Sequence, residues 1–473
     1  MDEQGENFMT RSTRRRVWTA GSALGLALTT ALALIGPIAT PAGASNPKLY
    51  AKPAGSGTTC GKTTECTLSE ALIKALPGTT IILRSGNYNE QPTISKANLT
   101  IQGPSDHSAV LRKVNATQNA TTPNIVGPPA YASGPMTALV NVTAAGTGFT
   151  LDNVAINGSV ANLPSATRFS AIYVRSSVAT FENITTSSIY PGTGPDGNQQ
   201  GTIVDVRTDT SSTSNVTISK STLAGYNKTG VVCNFPGTTC TVDKTTVTGA
   251  GAINYVAQNG VQISREAVGT ISNSTITGNN YTPSPQASGI LIYNAGSGVT
   301  ITKNTVSGND NNIYAYQDGN DPGTSANVQI TKNTSSGSTA YDDIAVADVT
   351  GANIDGNIAN NGHAVTGFGI GLYGAHNSTV HKNKVNNSAT DGIYVGGPGN
   401  INATSTGNSV TSNKVFNSAN VGIHADTSAV TNSFDKNTTK NSAVWDIQDD
   451  GTGNQWNTEH CTTHASSQPL GDC

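Results

Sequence analysis

Side chains able to do acid, base or ionic chemistry are scarce in this sequence of 473 residues, of which 12% are charged. Those that gather at matched places in the chain are therefore the first candidates. Arg207 and Asp209, Arg265 and Glu266, and Asp318 and Asp321 each lie just past a short apolar strand pattern. A lyase or epimerase acting on uronates needs a cation, or Ca²⁺, to neutralise the substrate carboxylate, and a base for the C5 proton. A glycoside hydrolase needs two carboxyl groups flanking the bond, about 5 Å or about 6.5–9.5 Å apart. Arg207, Asp209, Arg265, Glu266 and Asp318 are thus the candidate catalytic residues, against the alternative of solvated turn charges. Asp318-Gly319-Asn320-Asp321 resembles the start of a Ca²⁺ loop but lacks the later bidentate Glu. Ca²⁺ is the one cofactor considered, and no metal ligand is assigned. His363, His376 and His381 have no ligand spacing.

The same strand pattern carries Tyr173, Arg175, Tyr293, Tyr314, Tyr316, Tyr373, Tyr394, His424 and Asp426 at outward positions, and six of the 14 tyrosines fall in two columns. An aromatic ladder suits the apolar faces of sugar rings, with phenol hydroxyls free to bond sugar hydroxyls. These nine are the candidate substrate-binding residues. The alternative is that tyrosine simply favours half-buried strands.

The elements that must position these groups are repeats. From Asn98 onward an apolar-x-apolar pattern recurs, as in Gly269-Thr-Ile-Ser-Asn-Ser-Thr-Ile-Thr-Gly278 and Val299-Thr-Ile-Thr-Lys-Asn-Thr-Val-Ser-Gly308. Its third position is Ile101, Leu151, Phe181, Ile218, Val242, Ile271, Ile301, Ile330, Ile354, Val380, Val410 and Phe434. After the first gap these are 24 to 37 residues apart, about 28 on average. A second strand follows in each repeat, with Leu139, Ile172, Ile203, Val231, Val261, Ile290, Ile313, Ile344, Ile370, Ile393, Ile423 and Ile447 inward. On this register Asp205 and Asp449 also point inward, where a lone carboxylate is costly, so a bulge or coil end is expected there.

A fixed period in this range means a solenoid or a propeller. Four-stranded blades need about 40 residues, and the leucine and calcium-roll frameworks are missing. The spacing fits an all-β parallel β-helix of about twelve coils, each pairing with its neighbours at about 4.8 Å. Asn304, Asn333, Asn357, Asn383, Asn413 and Asn437 share one position. They are expected at a tight turn, where Asn tolerates left-handed backbone and bonds from coil to coil.

Ends need covers, because terminal coils expose strand edges. Thr67-Leu68-Ser69-Glu70 is a capping box leading into a short amphipathic helix stopped by Pro77-Gly78. The expected organisation is therefore a cap and first strand over 45–98, coils over 99–450 with a loop insertion at 104–136, and a covering tail over 451–473.

Residues 1–44 read as an export signal: Arg14-Arg15-Arg16, an apolar run from Val17 to Ile38, then Ala42-Gly43-Ala44. Thr13 to Trp18 also resembles a twin-arginine signal, and an uncleaved anchor is the competing reading. No later run is apolar enough to span a bilayer, so no membrane contact is expected after cleavage. The six cysteines form three close pairs, Cys60/Cys66, Cys233/Cys240 and Cys461/Cys473, as expected for disulfides in an exported chain. The alternative at the last pair is a metal site using His460, Cys461 and His464. A formal net charge of −3 with no basic stripe along the chain argues against nucleic acid as the partner.

Thr67–Leu76, Pro77-Gly78-Thr79-Thr80-Ile81-Ile82-Leu83 and Gly86-Asn87-Tyr88, together with the coils, resemble secreted right-handed parallel β-helix proteins of the pectin-lyase-like superfamily over residues 48–450. The resemblance implies export, a right-handed β-helix with a short N-terminal capping helix, and an extracellular polysaccharide along a groove on one sheet. It implies no particular reaction, because this fold hosts lyases, hydrolases, epimerases, tailspikes and adhesins. Tyr341-Asp342-Asp343-Ile344 and Thr390-Asp391-Gly392-Ile393 resemble polygalacturonase segments in the wrong order, and the Gly-His-Gly and Arg-Ile-Lys segments are missing. The Trp-Ile-Asp-His of pectate lyases and the Asp-Pro-His-Asp of alginate epimerases are missing too. The expectation is a secreted monomer that binds, and as lyase or glycosidase cleaves, polysaccharide. A non-catalytic surface or adhesion protein using the same face is the competing class.

Overall fold

A computed structural model describes residues 47–473 except 126–131, 160–162, 164–166, 191–194, 199, 283, 285, 361–365 and 467–472. The segment read as an export signal, and His363, lie outside the described residues. The chain from Asn46 is one compact unit, a right-handed parallel β-helix. Among the described residues its coils contribute to three long sheets, a first of 15 strands, a second of 13 and a third of 15, and Ser405–Thr406 pairs with Ala429–Val430 in a small fourth. Every strand pairing is parallel except that of Ala120–Thr121 with Pro135–Val142. The first sheet carries the twelve expected strands plus Lys48–Ala51, Thr80–Leu83 and Gln455–Asn457. Two stretches expected to be irregular are partly strand: Ala109–Arg112 in the second sheet, and His464–Ser466 in the third.

Inward columns of aliphatic side chains hold the coils in register. Ile271, Ile301, Ile330, Ile354 and Val380 pair directly, coil upon coil, and all are fully buried. A one-residue slip would turn every such side chain to the other face, so the buried column fixes the pairing. The third sheet has the same kind of column from Val231 through Val261, Ile290, Ile313, Ile344, Ile370, Ile393 and Ile423 to Ile447. Two members differ from expectation: Val140 and Val204, not Leu139 and Ile203, align with Ile172. Strand Thr202–Arg207 is buried at all six positions, so alternation there carried no signal. Asp205 consequently faces outward beside Tyr173. Asp449 does sit at a coil end, where Trp456 Nε1 donates to it at 2.9 Å and Asn454 Nδ2 at 2.8 Å.

The asparagine column is a buried ladder. Asn333 donates its backbone N–H (2.8 Å) and its Nδ2 (3.0 Å) to Asn357 Oδ1, and the same pair of bonds links Asn357 to Asn383. Each Nδ2 also reaches back to a carbonyl of the preceding coil, as Asn357 does to Ile330 at 2.8 Å. The left-handed residue of the turn is the one before each Asn, namely Lys303, Lys332, Gly356, Lys382, Ser412 and Lys436, not the Asn itself. The column ends on Asn437 donating to the buried Glu459 at 3.1 Å.

At the N-terminal end helix α1 (Leu68–Lys74) buries Leu68 and Ala71. Thr67 Oγ1 caps it by accepting from the Glu70 amide at 3.1 Å. Lys96 Nζ donates to the carbonyls of Leu72, Ile73 and Ala75 at its far end, which satisfies acceptors the helix cannot pair itself. The three expected disulfides, Cys60–Cys66, Cys233–Cys240 and Cys461–Cys473, are formed. Cys461 is therefore bonded to Cys473, and no metal-holding cluster of His, Cys, Asp and Glu occurs among the described residues. No helix among the described residues is long and apolar enough to cross a membrane.

Candidate functional site

The outward face of the third sheet collects most of the candidate side chains, because its strands end in residues whose parity opposes the buried column. Its N-terminal half is closed. Tyr173 is fully buried beneath the Ala120–Thr121 strand, and its hydroxyl donates to the Thr121 carbonyl at 3.1 Å. Arg175 forks onto Asp209 at 2.6–3.0 Å and onto Thr121. Arg207 and Asp205 form a buried pair at 2.9 Å.

The middle of the face is also internally satisfied. Arg265 meets Asp321 at 3.0 Å and lies 5.3 Å over the Tyr293 ring. Tyr293 donates to Asp318 Oδ2 at 2.9 Å. Asp318 Oδ1 accepts from the Asn320 and Asp321 amides and from Asn294 Nδ2. Both oxygens thus face protein donors, the arrangement of a closed turn, not of a cation cage. Tyr293 and Tyr316 pack together at 4.9 Å but are only 4% and 2% exposed, so neither presents a ring to solvent. Tyr314, stacked on Tyr316 at 4.7 Å, is half-buried. Glu266 is exposed at the turn it shares with Arg265.

Carboxyl groups, rings and an imidazole do converge on the coils from Tyr341 to Asp450. The Tyr373 hydroxyl donates to Asp342 Oδ2 at 2.7 Å, and the Phe368 amide donates to Asp342 Oδ1 at 2.7 Å. The Tyr373 ring folds back over Gly371, where a Cβ would stand 2.5 Å from Asp342 Oδ2 and 2.7 Å from the ring. Glycine at that outward position makes room for the bond. Phe368 stacks on Tyr394 at 4.3 Å and 7°, with Tyr373 leaning on the same ring at 5.6 Å. The Tyr394 hydroxyl donates to Asp426, whose other oxygen is held by the Ser428 amide at 2.6 Å. His424 aligns with Tyr394 on the next coil. Its Nδ1 meets Asp391 at 2.9 Å and its Nε2 meets Asp450 at 3.3 Å.

These contacts set the protonation states. Burial pushes the Asp342 carboxyl up to about 7, against the hydrogen bonds from Phe368 and Tyr373. Burial likewise pushes Asp343 up to about 6, though Asn312 Nδ2 donates to it at 2.8 Å. Burial and the adjoining carboxylates hold the Tyr373 and Tyr394 phenols above their ordinary range, so both remain donors. Burial disfavours a charged His424, but Asp391 and Asp450 outweigh it and raise the imidazole. The cluster therefore holds two phenols bonded to Asp342 and Asp426, a buried carboxyl raised to about 7 and an imidazole whose proton affinity two carboxylates raise.

Of the sequence candidates, the structure brings together Tyr373, Tyr394, His424 and Asp426, with Tyr314 on an earlier coil. Asp342, Asp391, Phe368 and Asp450 join them without having been assigned roles. Asp342 and Asp391 stand two residues before Ile344 and Ile393, ahead of the third-sheet strands that begin there, so strand alternation does not direct them.

The model of the right handed beta helix region matches residues 138–321 and 288–464. Similar solved structures include the periplasmic alginate epimerase AlgG, 11% identical with TM-score 0.47, covering 87% of this chain and 83% of that one. The Azotobacter vinelandii mannuronan C-5 epimerase AlgE6 A-module is 12% identical with TM-score 0.46, covering 88% and 97%. The GH136 lacto-N-biosidase from Eubacterium ramulus is 9% identical with TM-score 0.47, covering 88% and 68%. No curated protein matches the chain.

Proposed function

This chain belongs to the right handed beta helix family, and we propose that it is an exported protein that uses this scaffold to bind an extracellular polysaccharide on the outward face of the third sheet. The observation that carries the reading is the cluster of Phe368, Tyr373 and Tyr394 beside Asp342, Asp426 and His424 on neighbouring coils. Half-buried rings offer apolar faces to sugars, while fixed phenol and carboxyl groups match sugar hydroxyls. Three formed disulfides support an oxidising compartment. The groove is shorter than a full tyrosine ladder, because Tyr173, Tyr293 and Tyr316 are packed inside.

Cleavage is the second reading, and one observation favours it. Asp342 holds its proton up to about pH 7, the condition for a general acid, within a group of carboxyls that includes Asp391 and Asp426. Arg175, Arg207 and Arg265 are engaged with aspartates, which supports hydrolysis over a lyase route needing a cation for the substrate carboxylate. The test incubates the protein with uronate and neutral glycans, with and without Ca²⁺. Retention of a glycan that is lost in a Tyr373→Ala/Tyr394→Ala variant supports binding, and new reducing ends support hydrolysis. If no glycan is bound or altered, the polysaccharide reading fails.

A further inference from the structure

One turn joins the first sheet to the second in every coil, and its central residue has left-handed backbone. Lysine occupies that place at Lys220 and Lys244, which pair with Glu182 and Asp243, and at Lys303, Lys332, Lys382 and Lys436, with φ of 57°, 56°, 52° and 55°. A side chain other than Gly or Asn is disfavoured there, and the chain itself uses Asn273 and Gly356 at the same turn. Lysine therefore recurs where the backbone would prefer something else.

Stacking turns the last four, 29 to 54 apart in sequence, into a ridge. All four are exposed, as are Lys384 and Lys414, which align on adjacent strands of the second sheet beside the turn. Lys303, Lys332, Lys382, Lys384 and Lys414 form no ion pair among the described residues. The acids on this edge are already engaged: Asp355 meets His381 at 2.8 Å and Asp435 meets Lys436 at 3.0 Å. The ridge runs over the six coils from Ile301 to Phe434, roughly 24 Å at about 4.8 Å per coil. It stands out on a chain whose formal net charge is −3.

We propose that this edge is an electrostatic docking ridge for a linear acidic polysaccharide, held by charge and left uncut. Charge complementarity names a polyanion, and the form of the ridge narrows it. It is a narrow row of point charges flanked by Lys384 and Lys414, with threonines such as Thr302 and Thr331 beside it; Phe416, half-buried two residues from Lys414, is one ring, where unstacked bases need a series of them. A duplex carries phosphates on two strands about a wide cylinder and needs a broader basic face. Along the row Lys303 and Lys332 stand one coil apart, while Lys332, Lys382 and Lys436 are two coils apart, because Gly356 and Ser412 hold the intervening turns; an extended sugar chain bearing carboxylates along its length can meet such a row without a one-to-one register. The ridge lies on a different edge from the third-sheet cluster and does not depend on the role given to that cluster.

The test measures binding of the purified protein to polygalacturonate, neutral dextran, duplex DNA and anionic lipid vesicles between 50 and 200 mM NaCl. The expected result is salt-sensitive binding to polygalacturonate, about tenfold weaker and with a flatter salt slope in a Lys303→Asn/Lys332→Asn/Lys382→Asn variant. Asparagine suits left-handed backbone, so that variant should melt no lower than wild type, which separates lost charge from lost fold. A Lys48→Gln/Lys62→Gln control should bind as wild type. Unchanged affinity in the triple variant, an equal loss in the control, salt-insensitive binding, or equal binding to DNA or vesicles would each overturn the proposal.

Discussion

Asp342 makes the chain's stability depend on pH in a direction opposite to that of a paired surface carboxylate. Its carboxyl is 3% exposed and titrates at about 7, against about 3.9 in an unfolded chain. Between those values the folded state holds a proton that the unfolded state has released. Stability therefore falls as pH rises through this window, by about 4 kcal/mol for a shift of about three units at 1.36 kcal/mol each. Asp343 and Glu459, also pushed up by burial to about 6 and about 8, add losses of the same sign. Asp342→Asn isolates the first contribution: the amide keeps an acceptor for the Phe368 N–H and a donor for the Tyr373 oxygen, yet cannot ionise. Chemical denaturation of wild type and variant from pH 4.5 to 8.5 should show wild type losing stability toward alkaline pH and the variant losing about 4 kcal/mol less. Parallel profiles would refute the assignment of a raised carboxyl at this position. If hydrolysis is found, the same variant should abolish it while retaining glycan binding.

Other substitutions test separate links. Asn357→Ala removes the acceptor for two Asn333 donors and the donor to Ile330 O, leaving buried polar groups unmatched. It should cost about 2–4 kcal/mol, measured by urea unfolding. Gly371→Ala places a methyl against Asp342 Oδ2 and the Tyr373 ring, so glycan affinity should fall about tenfold in calorimetry, corresponding to about 1.4 kcal/mol. Tyr293→Ala should destabilise by about 3 kcal/mol or more, since the ring is buried against Tyr316; the thermal midpoint reads it out. His424 is raised, so its pairing with Asp391 and Asp450 is strongest below about pH 6.5 and is lost as pH rises through the folded value. Imidazole titration by NMR should show that upward shift vanish in Asp391→Asn.

The repeat was legible because its cause is local: an aliphatic residue every coil, with turn residues after it, announces a column of buried side chains. All twelve first-sheet positions from Ile101 to Phe434 obey it. Register failed at Leu139 and Ile203, where both faces of the strand are buried and alternation is silent. The Asn column was visible as a column, but its place in the turn was not: the strain falls on the residue before it. The site was only partly legible, for a related reason. Which outward tyrosine sees solvent depends on what the adjoining loops cover, as Thr121 covers Tyr173, and loops carry no period. Asp342 and Asp391 lie just ahead of their strands, where alternation no longer sets direction: parity from Ile344 and Ile393 would turn them inward, whereas they bond the outward Tyr373 and His424. The lysine row escaped because a scan along the chain sees isolated cations; only stacking makes them neighbours.

The ladder of Asn side chains has a direction. Each amide N–H and Nδ2 is satisfied by an oxygen from the coil that follows, so a coil is complete only when its successor is in place. Glu459 closes the series: its Oε1 accepts from Asn437 Nδ2 at 3.1 Å, and burial pushes its carboxyl up to about 8. The ladder is therefore polar along the axis, and without residue 459 the Asn437 Nδ2 would lose its forward acceptor.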